Sequence, residues 1–173
     1  MFGMKKRNKL PKEKINLEYE EDHKKAMKLM GEHKFKESIT YFDKAIAKNE
    51  NHTASWNNKG IAYLSMGQFE KALDCFEKVI TITPNDNMAK YNKGFVLYSL
   101  ERYEEAIKVL AEFSINQPKK DDFYKFGLYM EAKCYIALEN YQAAVNTLKL
   151  LIKTDKNFKD TKKLLNEVLE KLE

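Results

Sequence analysis

Apolar residues along the chain return every three or four positions and never settle into an alternation of two. Between Trp56 and Ile80 the apolar and small positions are Trp56, Gly60, Tyr63 and Met66, then Phe69, Ala72, Leu73, Phe76, Val79 and Ile80. That spacing places them on one face of each of two successive helices. The arrangement recurs at 34 residues: Ala26, Gly60 and Gly94 share a column, and Ala132 joins it after a four-residue insertion near Lys119 to Asp122. Ser38, Ala72, Ala106 and Ala144 form a second small column. Phe35, Phe69, Tyr103 and Tyr141 stand three residues before it, and Phe42, Phe76, Leu110 and Leu148 four residues after it. A repeated helix pair of this length predicts an all-α array.

The expected layout is four helix pairs within residues 15–158, at about 19–52, 53–86, 87–120 and 125–158. Turns are expected around Gly31, Gly67, Glu101 and Glu139, and Thr53, Asp86 and Asp122 are candidate N-caps. Residues 159–173 place Leu164, Leu165, Val168, Leu169 and Leu172 along one face, as an amphipathic capping helix does. Gly60 and Gly94 sit in helix interiors, where glycine costs about 1 kcal/mol against alanine. Close approach of the two helices of a pair, with Gly60 opposite the Ala72 region, would offset that cost.

Set against this framework, the second unit resembles the tetratricopeptide repeat family, whose pattern is W-x₂-L-G-x₂-Y, A-x₃-F and then P. Trp56, Gly60, Tyr63, Ala72, Phe76 and Pro84 match it, while Lys59 replaces its leucine. The third unit keeps Gly94, Ala106 and Pro118, and the resemblance spans residues 19–158. It implies a helical-hairpin solenoid of four repeats plus a C-terminal capping helix. Its function would be protein–protein interaction through a concave groove lined by the first helix of each pair.

A second stripe on those first helices is the candidate groove. Ala54, Asn57, Ile61 and Leu64 step by three or four, as do Met88, Tyr91, Phe95 and Tyr98. Phe126, Tyr129, Lys133 and Ile136 continue the stripe, and Glu20, His23, Met27 and Met30 begin it. Asn58 and Asn92, equivalent in consecutive units, could hydrogen-bond the backbone of an extended peptide. The candidate partner-binding residues are therefore Asn57, Asn58, Ile61, Leu64, Met88, Tyr91, Asn92, Phe95, Tyr98, Phe126, Tyr129 and Lys133. The partner is a protein or peptide. One alternative is a homo-oligomer that associates through the same surface. Another, the family's carboxylate clamp for chaperone tails, matches poorly, because its places hold His23, Met27, Asn58, Met88 and Asn92 and only Asn58 fits. A register one unit later gives Asn57, Ile61, Asn92, Phe126 and Met130, again with a single match.

Charge changes this picture little. The formal net charge of +5 resides wholly in residues 1–14, where Lys5, Lys6, Arg7, Lys9, Lys12 and Lys14 face Glu13 alone. This leader is expected to be disordered, and the remaining body is neutral. With Arg7 and Arg102 the only arginines, nucleic acid is not the expected partner. The leader lacks the apolar run of a signal peptide, and no stretch is long enough to span a membrane. Cys75 and Cys134, 59 residues apart, suggest neither a disulfide framework nor a metal site, which fits a reducing cytoplasm. His23, His33 and His52 form no catalytic or metal motif and are expected at the surface or in turns. With no phosphate loop either, neither catalysis nor a cofactor is expected.

Overall fold

The computed structural model describes residues 12–117 and 119–172. Among them are nine helices and no strand: α1 (Lys12–Gly31), α2 (Phe35–Lys48), α3 (Thr53–Ser65), α4 (Phe69–Ile82), α5 (Asn87–Ser99), α6 (Tyr103–Asn116), α7 (Asp122–Ala137), α8 (Tyr141–Thr154) and α9 (Thr161–Leu169). Helices pack in consecutive pairs, each pair stacks on the next, and α9 packs on α8. The expected disordered leader lies largely outside the described residues. Its last three residues are already helical, because α1 begins at Lys12.

Within each pair the same turn closes the hairpin. His33, Gly67, Glu101 and Glu139 take left-handed backbone conformations, with φ of 58°, 69°, 58° and 56°. The N–H of the next residue then donates to a carbonyl five positions back: Lys34 to Leu29, Gln68 to Tyr63, Arg102 to Leu97 and Asn140 to Tyr135, at 2.8–2.9 Å. This bond gives a carbonyl in the last turn of the first helix the donor that it would otherwise lack. The first turn is thus centred on His33, and Gly31 is the last residue of α1. Two of the expected caps also move by one residue. Asp121, not Asp122, caps α7 by accepting from the Tyr124 N–H, and His52, not Thr53, precedes α3. Asp86 caps α5 as expected, accepting from the Ala89 N–H at 2.9 Å.

The repeat columns form the core. Ala26, Ser38, Phe42, Ala72, Phe76, Ala106, Leu110, Ala132, Ala144 and Leu148 are all fully buried. The partner of the helical glycines differs from the expected one. A Cβ on Gly60 would stand 2.7 Å from the Phe76 ring, and on Gly94 2.5 Å from Leu110 Cδ2. The glycines therefore make room for the large column, not for Ala72. A further small column, Ser55, Ala89 and Gly127, lies where each unit meets the one before; a Cβ on Gly127 would press to 2.8 Å from Phe113. At the far end, Val168 of α9 is buried against Ala132, Ala144, Val145 and Leu148, while Leu169 and Leu172 stay exposed.

Candidate functional site

Three elements converge on a hollow of about 250 Å³: α5 brings Tyr91, Phe95 and Tyr98, α7 brings Phe126, Tyr129, Met130 and Lys133, and the loop before α9 brings Lys159. The helical period accounts for the first two sets, since residues three and four apart share a face. Phe95 is 38% exposed, whereas Met130 is buried at the floor.

The third wall depends on a loop. Phe158 is buried beside Tyr124, Leu128 and Leu151, and its ring stands edge-on to Phe126 at 5.0 Å. Lys159 then takes a left-handed backbone (φ 45°), and its ammonium lies 4.3 Å from the Phe126 ring centre and 4.7 Å from that of Tyr129. Lys133 approaches Tyr98 and Tyr129 at 5.5 and 5.9 Å. Two ammonium groups resting on aromatic faces give the hollow a cationic rim. The Tyr129 hydroxyl donates to Asp160 Oδ1 at 2.7 Å. Burial, aided by the Asp160 carboxylate, pushes the Tyr129 phenol up to about 12. It therefore remains a donor at neutral pH and ties the loop to α7.

Tyr91 also borders a second hollow of about 210 Å³, shared with Met88, Phe113 and Phe123. Phe123 meets Tyr91 edge to face at 5.6 Å. Met88 and Phe123 are exposed, so the aromatic surface continues toward the N-terminal end of α5.

Of the twelve residues singled out in the sequence, Tyr91, Phe95, Tyr98, Phe126, Tyr129 and Lys133 gather around the first hollow and Met88 around the second. Ile61 and Leu64 instead pack partly buried against the core. Asn92 donates its side-chain amide to Asn57 at 3.2 Å, so this pair links units two and three, and Asn58 stays outside both hollows. The residue that sequence reasoning missed is Lys159, which lies in a loop where no period points to it.

His23, expected at the surface or in a turn, lies within α1 and meets His52, in the loop before α3, at the joint between units one and two. His23 and His52 both direct Nδ1 at the buried hydroxyl of Ser55, at 2.9 and 2.7 Å, with their rings 4.9 Å apart. Burial, then the neighbouring His52, lowers the pKa of His23. His33 does lie in a turn. Both cysteines are buried, which raises their thiols to about 11 for Cys75 and about 12 for Cys134 and leaves them protonated.

Residues 53–86 match the family model described as tetratricopeptide repeat, and residues 89–113 and 127–158 match a second model of the same description. The chain belongs to the tetratricopeptide repeat (TPR) family. Proteins of this family are in general non-enzymatic scaffolds for protein–protein interaction. Comparison with curated proteins gives no significant match. Among solved structures, MamA (41-end) from Desulfovibrio magneticus RS-1 is 21% identical with a TM-score of 0.80, covering 87% of this chain and 82% of that one. YrrB, described as a TPR protein with an unusual peptide-binding site, is 18% identical with a TM-score of 0.71, covering 81% and 70%. The first TPR of Spaghetti (RPAP3), bound to the HSP90 peptide SRMEEVD, is 16% identical with a TM-score of 0.64, covering 69% and 92%. At these identities the likeness is one of fold. No helix among the described residues is long and apolar enough to cross a membrane.

Proposed function

We propose that this TPR protein binds a peptide or helix of a partner protein in the aromatic groove formed by α5, α7 and the loop before α9. The carrying observation is the hollow of about 250 Å³ whose lining brings together five aromatic rings and two lysines. An exposed concavity of rings with few polar groups suits an apolar anchor residue, and Lys133 and Lys159 suit an acidic neighbour of that anchor. Two TPR structures of similar fold are described with a peptide or a peptide-binding site, which supports the mode without fixing the ligand. The clamp places held by His23, Met27 and Met88 carry no cation suited to a chaperone tail, so a hydrophobic anchor is the preferred ligand.

Selection of binders from a random peptide library on the full chain, followed by titration, tests the proposal. Selected peptides should share an aromatic or aliphatic anchor, and Phe95→Ala with Tyr91→Ala should weaken them at least tenfold while helicity by circular dichroism is unchanged. Undiminished affinity in the double variant would refute the groove. Sedimentation addresses the alternative of self-association: a dimer that Phe95→Ala dissociates would assign this surface to a second copy of the chain.

A further inference from the structure

A separate cleft of about 380 Å³ opens on the other side of α7, between α6 and α8, lined among others by Ile115, Leu128, Glu131, Thr147 and Leu150. Helical spacing sets Tyr124, Leu128 and Glu131 on the face of α7 opposite Phe126, Tyr129 and Lys133. Two polar groups in this cleft have no partner among the described residues, one a carboxylate largely withdrawn from water and the other a fully buried hydroxyl. The Glu131 residue is only 9% exposed, and among the described residues its carboxylate has no hydrogen bond or ion pair; burial alone shifts it. Ser114 Oγ is buried with no hydrogen-bond partner among the described residues. Around them stand apolar side chains, Ile115 being 82% exposed.

The repeat itself indicates what is missing. At the first joint between units, Lys59 of α3 pairs with Asp43 of α2 at 2.6 Å; at the second, Lys93 of α5 pairs with Glu77 of α4 at 2.8 Å. Carried forward by the repeat spacing and the four-residue insertion, the lysine column arrives at Glu131 and the acid column at Ala111. The third joint thus has a carboxylate in place of the cation and a methyl group in place of the acid. Ala111 lines the cleft, so the space that a longer side chain would fill is left open.

We propose that this cleft receives a lysine or arginine side chain of a partner protein, its cationic head on the Glu131 carboxylate and Ser114 Oγ and its aliphatic stem between Ile115 and Leu150. An external cation supplies the charge that the first two joints supply from within. A carboxylate largely withdrawn from water with no partner is costly, and a partner's cation offsets part of that cost. Burial raises the Glu131 carboxyl to about 7, so binding of a cation expels a proton. Tyr124 is the other ionisable group of the lining; α6 brings Ala111, Ser114 and Ile115, and α8 brings Thr147 and Leu150, none of them charged. Affinity should therefore rise severalfold, up to about tenfold, from about pH 6 to about pH 8.

The test is an NMR titration of the full chain with n-hexylammonium, alongside n-hexanol and hexanoate. Hexylammonium should move the amide signals of Ser114, Ile115, Glu131 and Thr147 and bind at least tenfold more tightly than hexanol. Glu131→Gln should abolish that preference. Ala111→Glu combined with Glu131→Lys, which rebuilds the internal pair of the other joints, should keep the thermal midpoint and lose binding. Tyr91→Ala, in the aromatic hollow, should leave it unchanged, which separates this cleft from the groove. Hexanol binding as well as hexylammonium, a preference that survives Glu131→Gln, or shifts confined to Phe126 and Tyr129 would each overturn the proposal. So would sedimentation showing a dimer that Glu131→Gln breaks, since the occupant would then be a second copy.

Discussion

The first and last joints of the array are built from the same columns and end in opposite states. Where units one and two meet, the small column holds Ser55, whose hydroxyl takes both His23 and His52, and Lys59 crosses to Asp43. Polar atoms there find partners inside the chain. Where units three and four meet, the same column holds Gly127, the ring of Phe113 fills the space, and the charged column ends on Glu131 with no partner among the described residues. The comparison teaches that a TPR scaffold fixes where side chains meet but not whether their hydrogen bonds and charges close. A joint left open is a place where something from outside can close it.

Four substitutions break or sharpen this contrast. The largest effect is expected for Gly127→Leu, which drives a side chain into the Phe113 ring and should cost about 3 kcal/mol by overpacking, read from urea unfolding. Next comes Glu131→Gln. The folded carboxyl is raised from 4.5 to about 7, so protonation favours the folded state, and stability falls as pH rises through that window. The wild type should therefore lose on the order of 2 kcal/mol between about pH 5 and about pH 8 relative to Glu131→Gln. An identical pH profile for the two would show that the carboxylate is well solvated.

At the closed joint, Ser55→Ala should cost about 1 kcal/mol by leaving two histidine nitrogens without their shared partner. The sign of the pH effect is opposite there. His23 has a pKa lowered below 6.5, so its contribution is present above that value and lost as pH falls through the folded pKa. Protection factors of α1 amides, corrected for the intrinsic pH dependence of exchange, should fall in mild acid before those of α5 or α7. The smallest effect belongs to the turns: Glu139→Gly relieves a left-handed backbone at φ 56° and should gain about 0.5 kcal/mol, as Gly67 already does in its own turn.

Much of this architecture was legible in the sequence because small residues repeat wherever helices press together. Ala26, Gly60, Gly94 and Ala132 marked the first helix of each pair, and the stripe from Tyr91 to Tyr98 marked residues that line one hollow. Contacts across helices were harder to read. Gly60 proved to face Phe76, since a column gives a face but not the direction of the side chain that meets it. Lys159 was out of reach, because one left-handed residue in a loop aims it and loops carry no period. The Ser55–Ala89–Gly127 column and the reversal from Lys93 to Glu131 are both present at the repeat spacing, where side-chain size exposes the first and charge the second.

The hydrogen bond from Tyr129 to Asp160 fixes the loop that both walls the hollow and leads into the terminal helix, which covers the last pair. Docking of α9 and occupancy of the hollow are then thermodynamically linked. A molecule that leans on Lys159 must shift the fraying equilibrium of this end of the array by the same factor by which fraying weakens that molecule's affinity. A chain truncated after Phe158 would lose one wall of the hollow along with the helix that covers the last pair.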